Sequence, residues 1–153
     1  MKNSSAATMF DSKTREGFHR RIERLRPDYS RRWGRMNVDQ MVCHLADQLR
    51  LTLGEIPAAR RPSPLRFLPI KLLVIHVLPW PKGRIQGPPE AFITSPGEWN
   101  RDITALRDLL ELFASRADQK TWPPHPMFGR MSGSLWARLT CRHFDHHLRQ
   151  FGA

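Results

Sequence analysis

The chain has 153 residues, 40% of them hydrophobic and 25% charged, which supplies a packed core and excludes a disordered or disulfide-scaffolded chain. Its formal charge of +11 would attract phosphate-rich partners. Cys43 and Cys141 lie far apart and outside any CxxC pair, so they read as small buried thiols in a reducing compartment; one disulfide between them is the alternative.

Residues 1–9, MKNSSAATM, lack the apolar run of a secretory signal and are expected to form a flexible N-terminus to a single domain spanning 1–153. Residues 10–26 then predict a charged amphipathic helix that stops before Pro27, with Phe18, Ile22 and Leu25 on one stripe. Much of the positive charge sits in HRRIERLRPDYSRRWGR, residues 19–35. No stacking platform of aromatics is interleaved there, so a solvated basic surface is favoured over a nucleic-acid face.

Asn37 is a good N-cap, Gln40 completes a capping box, and the helix it opens should end at Gly54. Residues 65–78 predict a third, more buried helix, started or bent by Pro64 and Pro69. The surrounding stretch LRFLPIKLLVIHVLPW is too short and interrupted to span a bilayer, and a cytoplasmic location with no transmembrane segment is expected. The long link PWPKGRIQGPPEAFITSP is a candidate lid or wall of a site. In SPGE, Ser95 is expected to cap a helix with Pro96 first and Glu98 third, followed by the stripe Trp99, Ile103, Leu106, Leu109, Leu110 and Phe113. A second link, TWPPHPMFG, leads to a last helix capped by Ser132 or Ser134. The expected fold class is all-α: a four-helix bundle with an additional short helix or long proline-rich connections.

The last helix carries three histidines in HFDHHLRQFG. At about 100° per residue from Leu135, the apolar set averages ~115°, with His143 at ~80°, His147 at ~120° and His146 at ~20°. His143 and His147 therefore face the core and share one side at a spacing that can converge on a metal, while His146 belongs at the rim. Charge complementation of the helix C-terminus, or plain hydrogen-bonded packing, explains the same pair, and without a third ligand the structural reading is favoured. His44 is the best third candidate, although it falls on the shoulder of its own apolar stripe. Asp47, one turn on, would either orient an imidazole or cap the polar face. His19 is expected to be solvated among arginines and His76 to be a satisfied core residue, while His125 would form a site wall or a turn. No GxSxG, P-loop or GxGxxG occurs, and both cysteines are expected on helix sides away from the histidine pair.

Three segments, RWGRMNVDQMVCHL (32–45), HPMFGRMSGSLW (125–136) and HFDHHLRQFG (143–152), resemble the DinB/YfiT-like superfamily of metalloenzymes. More narrowly they resemble one of its domain-of-unknown-function branches, with the pattern WGxMxxxQMxxH, HPxFG and HxxHHxxQFG. The resemblance implies a four-helix bundle whose divalent metal is held by His44, His143 and His147. Asp47, His125, His146 and Gln150 are the further pocket or supporting candidates. It also implies a cation such as zinc, nickel, iron or manganese, and in some relatives a low-molecular-weight thiol cofactor. The expected function is metal-dependent chemistry on a small molecule, as a thiol transferase or hydrolase, with homodimer formation left open. The rivals are a non-enzymatic metal or stress-response binder, and a nucleic-acid or anionic-surface binder using the Arg-rich face.

Overall fold

Asn37 and Gly54 bracket the helix around which the others pack. The Asn37 side chain accepts from the Gln40 N–H at 2.8 Å, and the Gln40 side chain accepts from the Asn37 N–H at 2.9 Å. Gly54 closes the helix at φ 82°, in the left-handed region, where a side chain would be strained and would also crowd Pro123. The computed structural model describes residues 7–84 and 86–153. Among them are five α-helices and no strand: α1 Ser12–Glu23, α2 Val38–Leu53, α3 Leu68–His76, α4 Trp99–Ser115 and α5 Gly133–Gln150. Single 3-10 turns occur at Pro64–Arg66 and Pro89–Phe92.

The fold is all-α. Helix α2 packs on α4 and α5, and α1 packs on α5. Ion pairs Arg15–Glu111 and Arg107–Glu23 join α1 to α4 and close the ring. Inside it, Ile22, Met41, Leu45, Leu49, Leu106, Leu110, Phe113, Trp136 and Phe144 are fully buried, each contributing about 1.5–3 kcal/mol of transfer free energy. The predicted stripes of α1 and α4 point into this core. Cys43 and Cys141 are both buried and free.

Four expectations change. Met9 is fully buried and its N–H donates to the Ala137 carbonyl, so the flexible N-terminus expected over residues 1–9 does not reach it; residues 1–6 lie outside the described residues. His19 is only partly solvated, because Glu111 draws its Nε2 to 2.6 Å and its side chain keeps 17% exposure. The third helix is not more buried: only Lys71 and Ile75 of α3 are enclosed, and His76 is exposed and not a core residue. The reason is position, since α3 lies outside the four-helix ring on α5 and turns a narrow edge to it.

The start of α4 also differs. Asp47 holds the N–H and hydroxyl of Thr94, and Asp102 takes the N–H of Gly97 at 2.7 Å. Residues 94–97 are thereby pinned outside the helix, and Glu98 becomes the cap, accepting from Asn100 and Arg101 at 2.9 and 2.7 Å. Replacing Glu98 with Ala should therefore lower the denaturant midpoint, whereas Ser95→Ala should leave it essentially unchanged. The reverse order would restore Ser95 as the cap.

Candidate metal centre

Helix α2 contributes His44, and α5 contributes His143 and His147 one turn apart, so all three converge where these two helices face each other. Their nearest ring nitrogens all lie within 4.8 Å of one another. The ring centroids form a near-equilateral triangle with sides of 4.7, 4.7 and 4.8 Å, and the rings stand edge-on to each other. His44 is buried, while His143 and His147 keep a small exposure. His146 stays at the rim, edge-on to Trp33 at 5.7 Å and near Trp80.

Hydrogen bonds decide which nitrogens face inward. A carbonyl can only accept, so the 2.8 Å bond between His44 Nδ1 and the Ala91 oxygen places the proton on Nδ1 and leaves Nε2 with a free lone pair. The Gln150 amide donates from Nε2 to the Trp33 carbonyl at 2.7 Å. Its Oε1 must then accept from His147 Nδ1, at 2.9 Å, which leaves His147 Nε2 free in the same way. His143 Nε2 stands 2.8 Å from His44 Nε2, and its other nitrogen, Nδ1, is buried with no partner among the described residues.

Burial keeps these rings neutral. It lowers His44 to about 4 and His147 to about 3, with the neighbouring histidines adding to the effect, and it holds His143 well below the ordinary imidazole range. Neutral imidazoles with inward lone pairs are the form that binds a divalent cation, and the donor set fits one. The 2.8 Å approach of His143 Nε2 to His44 Nε2 is an N–H···N hydrogen bond while His143 holds its proton on Nε2; moving that proton to the unpartnered Nδ1 would free Nε2 for a cation.

The supporting residues are arranged less simply than their spacing suggested. Asp47 is fully buried, and its hydrogen bonds go elsewhere than to the His44 ring. Its carboxylate accepts from Ile93 N, Thr94 N, Thr94 Oγ1 and Arg50, and so pins the strap that carries the Ala91 carbonyl onto His44. Phe92 of the same strap stacks on His44 at 4.4 Å and 13°. Neither Ala91 nor Phe92 was a candidate in the sequence, because a backbone carbonyl carries no side-chain signal; only the length of the proline-rich link marked this region. Gly34 is a second such case. At φ 79° it lies so close to Gln150 that a β-carbon there would stand 2.6 Å from the amide nitrogen.

Beside the triad is a mainly apolar cavity of about 170 Å³, walled by Leu65, Val74, Trp80, Phe92, Met127 and Phe128. Gln48, His125 and His146 are among its polar lining. His125 serves as both wall and turn: its Nδ1 accepts from Met127 N and Phe128 N at 3.0 and 3.1 Å. Neither cysteine lines this cavity, and burial pushes the Cys43 thiol up to about 11 and the Cys141 thiol up to about 12.

A family model described as "Protein of unknown function (DUF1569)" matches residues 10–153. No curated protein and no solved structure matches the chain.

Burial, with Arg66 and Lys71 nearby, lowers His125 to about 3. Its unfolded value is about 6.5, so between these limits the unfolded chain binds a proton that the native state refuses. Stability should fall as pH drops through that window, and His125 should account for about 1.4 kcal/mol per pH unit of the slope. In metal-free protein, His125→Asn should reduce the slope between about pH 6 and 4 by that amount. An unchanged slope would show that His125 titrates normally.

Proposed function

The chain belongs to the family described as "Protein of unknown function (DUF1569)", and from that premise we propose a single-domain, divalent-metal enzyme of the DinB/YfiT type, with His44, His143 and His147 as ligands. The observation that carries this reading is the pair of proton locks, Ala91 on His44 and Gln150 on His147, which fix both inward nitrogens as lone-pair donors. Second partners of this kind orient metal-bound histidines generally. Zinc, nickel, iron and manganese all suit an imidazole set with open positions.

When bound, such a cation supplies a Lewis acid that lowers the pKa of a coordinated thiol or water. The chain's own residues do the rest. Leu65, Val74, Phe92 and Phe128 exclude water from the space beside the ligands and set its size for a small molecule. Gln48 and His125 offer the polar contacts that would orient it. Neither Cys43 nor Cys141 provides a nucleophile there, which favours chemistry with an external low-molecular-weight thiol or water, as transferase or hydrolase.

Protein purified without a histidine tag should contain about one divalent metal per chain by elemental analysis. His44→Ala and His147→Ala should lose it, while His146→Ala keeps it; metal loss in His146→Ala with retention in His147→Ala would reverse the ligand assignment. Gln150→Ala should retain the site but weaken metal affinity roughly 10- to 100-fold in a chelator competition. Metal-loaded protein should consume an electrophile in the presence of a low-molecular-weight thiol. Absence of turnover with every thiol and with water would leave a non-enzymatic metal binder.

A further inference from the structure

Helix α3 is turned inside out. Its one lysine, Lys71, points inward and is buried, with Nζ donating to the Arg130 carbonyl at 2.7 Å. Apart from Ile75, which is buried, and Val74, which is half-buried, the apolar side chains of α3 and of the residues flanking it are exposed. Phe67 is 69% exposed, Leu68 58% and Val77 67%, with Ile70, Leu72 and Leu73 open beside them. Single exposed apolar residues are ordinary on a protein surface, but a contiguous run on one short helix is not.

The charge around this face is one-sided. Residues 56–89 contain no aspartate or glutamate, and they carry Arg60, Arg61, Arg66, Lys71, Lys82 and Arg84. A groove beside Val77 is lined by Lys82, Arg138, Arg142 and Arg149. The carboxylate it contains, Asp145, is already bound to Arg21 and Arg149. Arg142 donates to the carbonyls of Val74 and Leu78, fastening the end of α3 to this basic rim.

We propose that the outward face of α3, with its basic rim, docks the protein onto an anionic lipid surface. Apolar side chains flanked by cations, of which Lys82, Arg84 and Arg138 make no ion pair among the described residues, match the acyl–headgroup boundary of such a membrane, where the first enter the hydrocarbon edge and the second meet lipid phosphates. No described helix is long and apolar enough to cross a membrane, so α3 lies in the interface and does not span it. A second copy fits this face less well, because pairing would bring two basic rims together on chains that each carry +11. The proposal is independent of the metal. It also gives the cavity a position, since Leu65, Val74 and Trp80 of the same segment form its wall directly behind the docked face.

The test is co-sedimentation of the full chain with vesicles of phosphatidylcholine containing about one-third phosphatidylglycerol, against pure phosphatidylcholine. Binding should require the anionic lipid and weaken as salt is raised. The double variant Phe67→Ser/Val77→Ser, both at exposed positions, should lower partitioning at least about tenfold. Neutralising Arg24 and Arg26 to Gln, beyond the end of α1, should change it less than about threefold. Leu73→Ser gives the same reading if the double variant fails to fold by circular dichroism. Equal partitioning of wild type and the folded α3 variant would overturn the proposal, as would absence of binding at low salt. So would a dimer, seen by sedimentation equilibrium, that the α3 substitutions dissolve.

Discussion

Two imidazole nitrogens, His44 Nε2 on α2 and His143 Nε2 on α5, stand 2.8 Å apart where the helices meet, and much of the surrounding structure keeps them neutral and directed there. Each support is a relay through a different part of the chain. On the α2 side, buried Asp47 gathers the backbone of Ile93 and Thr94, and the strap so held sets the Ala91 carbonyl on His44 Nδ1. On the α5 side, the Trp33 carbonyl orients the Gln150 amide, which in turn takes the proton of His147 Nδ1. The glycine at position 34 belongs to this relay, since any larger residue would collide with the amide. A tautomer is thus set by residues that never approach the centre.

Neutrality has its own physical basis. The chain carries +11, and protonated histidines at this point would repel one another in a poorly solvated environment. Burial removes that form and leaves three lone-pair donors. Because no carboxylate joins the ligand group, a bound cation would keep its full charge, and an anionic group such as a thiolate would be drawn to it in the low dielectric of the cavity. The apolar wall and the inert cysteines fit a site that takes its reactive group from outside.

The same segment that walls the cavity also faces outward. From Pro64 to Trp80 the chain buries little of its apolar surface and turns its one lysine toward the protein, an inversion that water alone does not favour. The segment that carries the exposed helix thus also supplies Leu65, Val74 and Trp80 to the cavity wall, so what covers α3 bears on what reaches the cavity.

Helix ends with local chemistry were legible in the sequence: the Asn37–Gln40 box, the stop at Gly54 and the cap at Ser132, one of the two serines the sequence offers, all depend on residues within a turn of one another. So was the separation of His143 and His147 from His146, because it is a consequence of helical pitch. The failures have the opposite character. Glu98 replaces Ser95 as a cap because Asp47 and Asp102 hold the intervening strap, and α3 is exposed although apolar because the ring of four helices closes without it. His44 lay on the shoulder of its stripe until α5 and the Ala91 strap were placed against it. The sequence by itself determined the helices and the directions of their side chains, since both arise from periodicity and short-range hydrogen bonds. Only the tertiary structure decided which proton each histidine carries and which apolar face is left open, because both depend on carbonyls and helix faces brought together from distant parts of the chain.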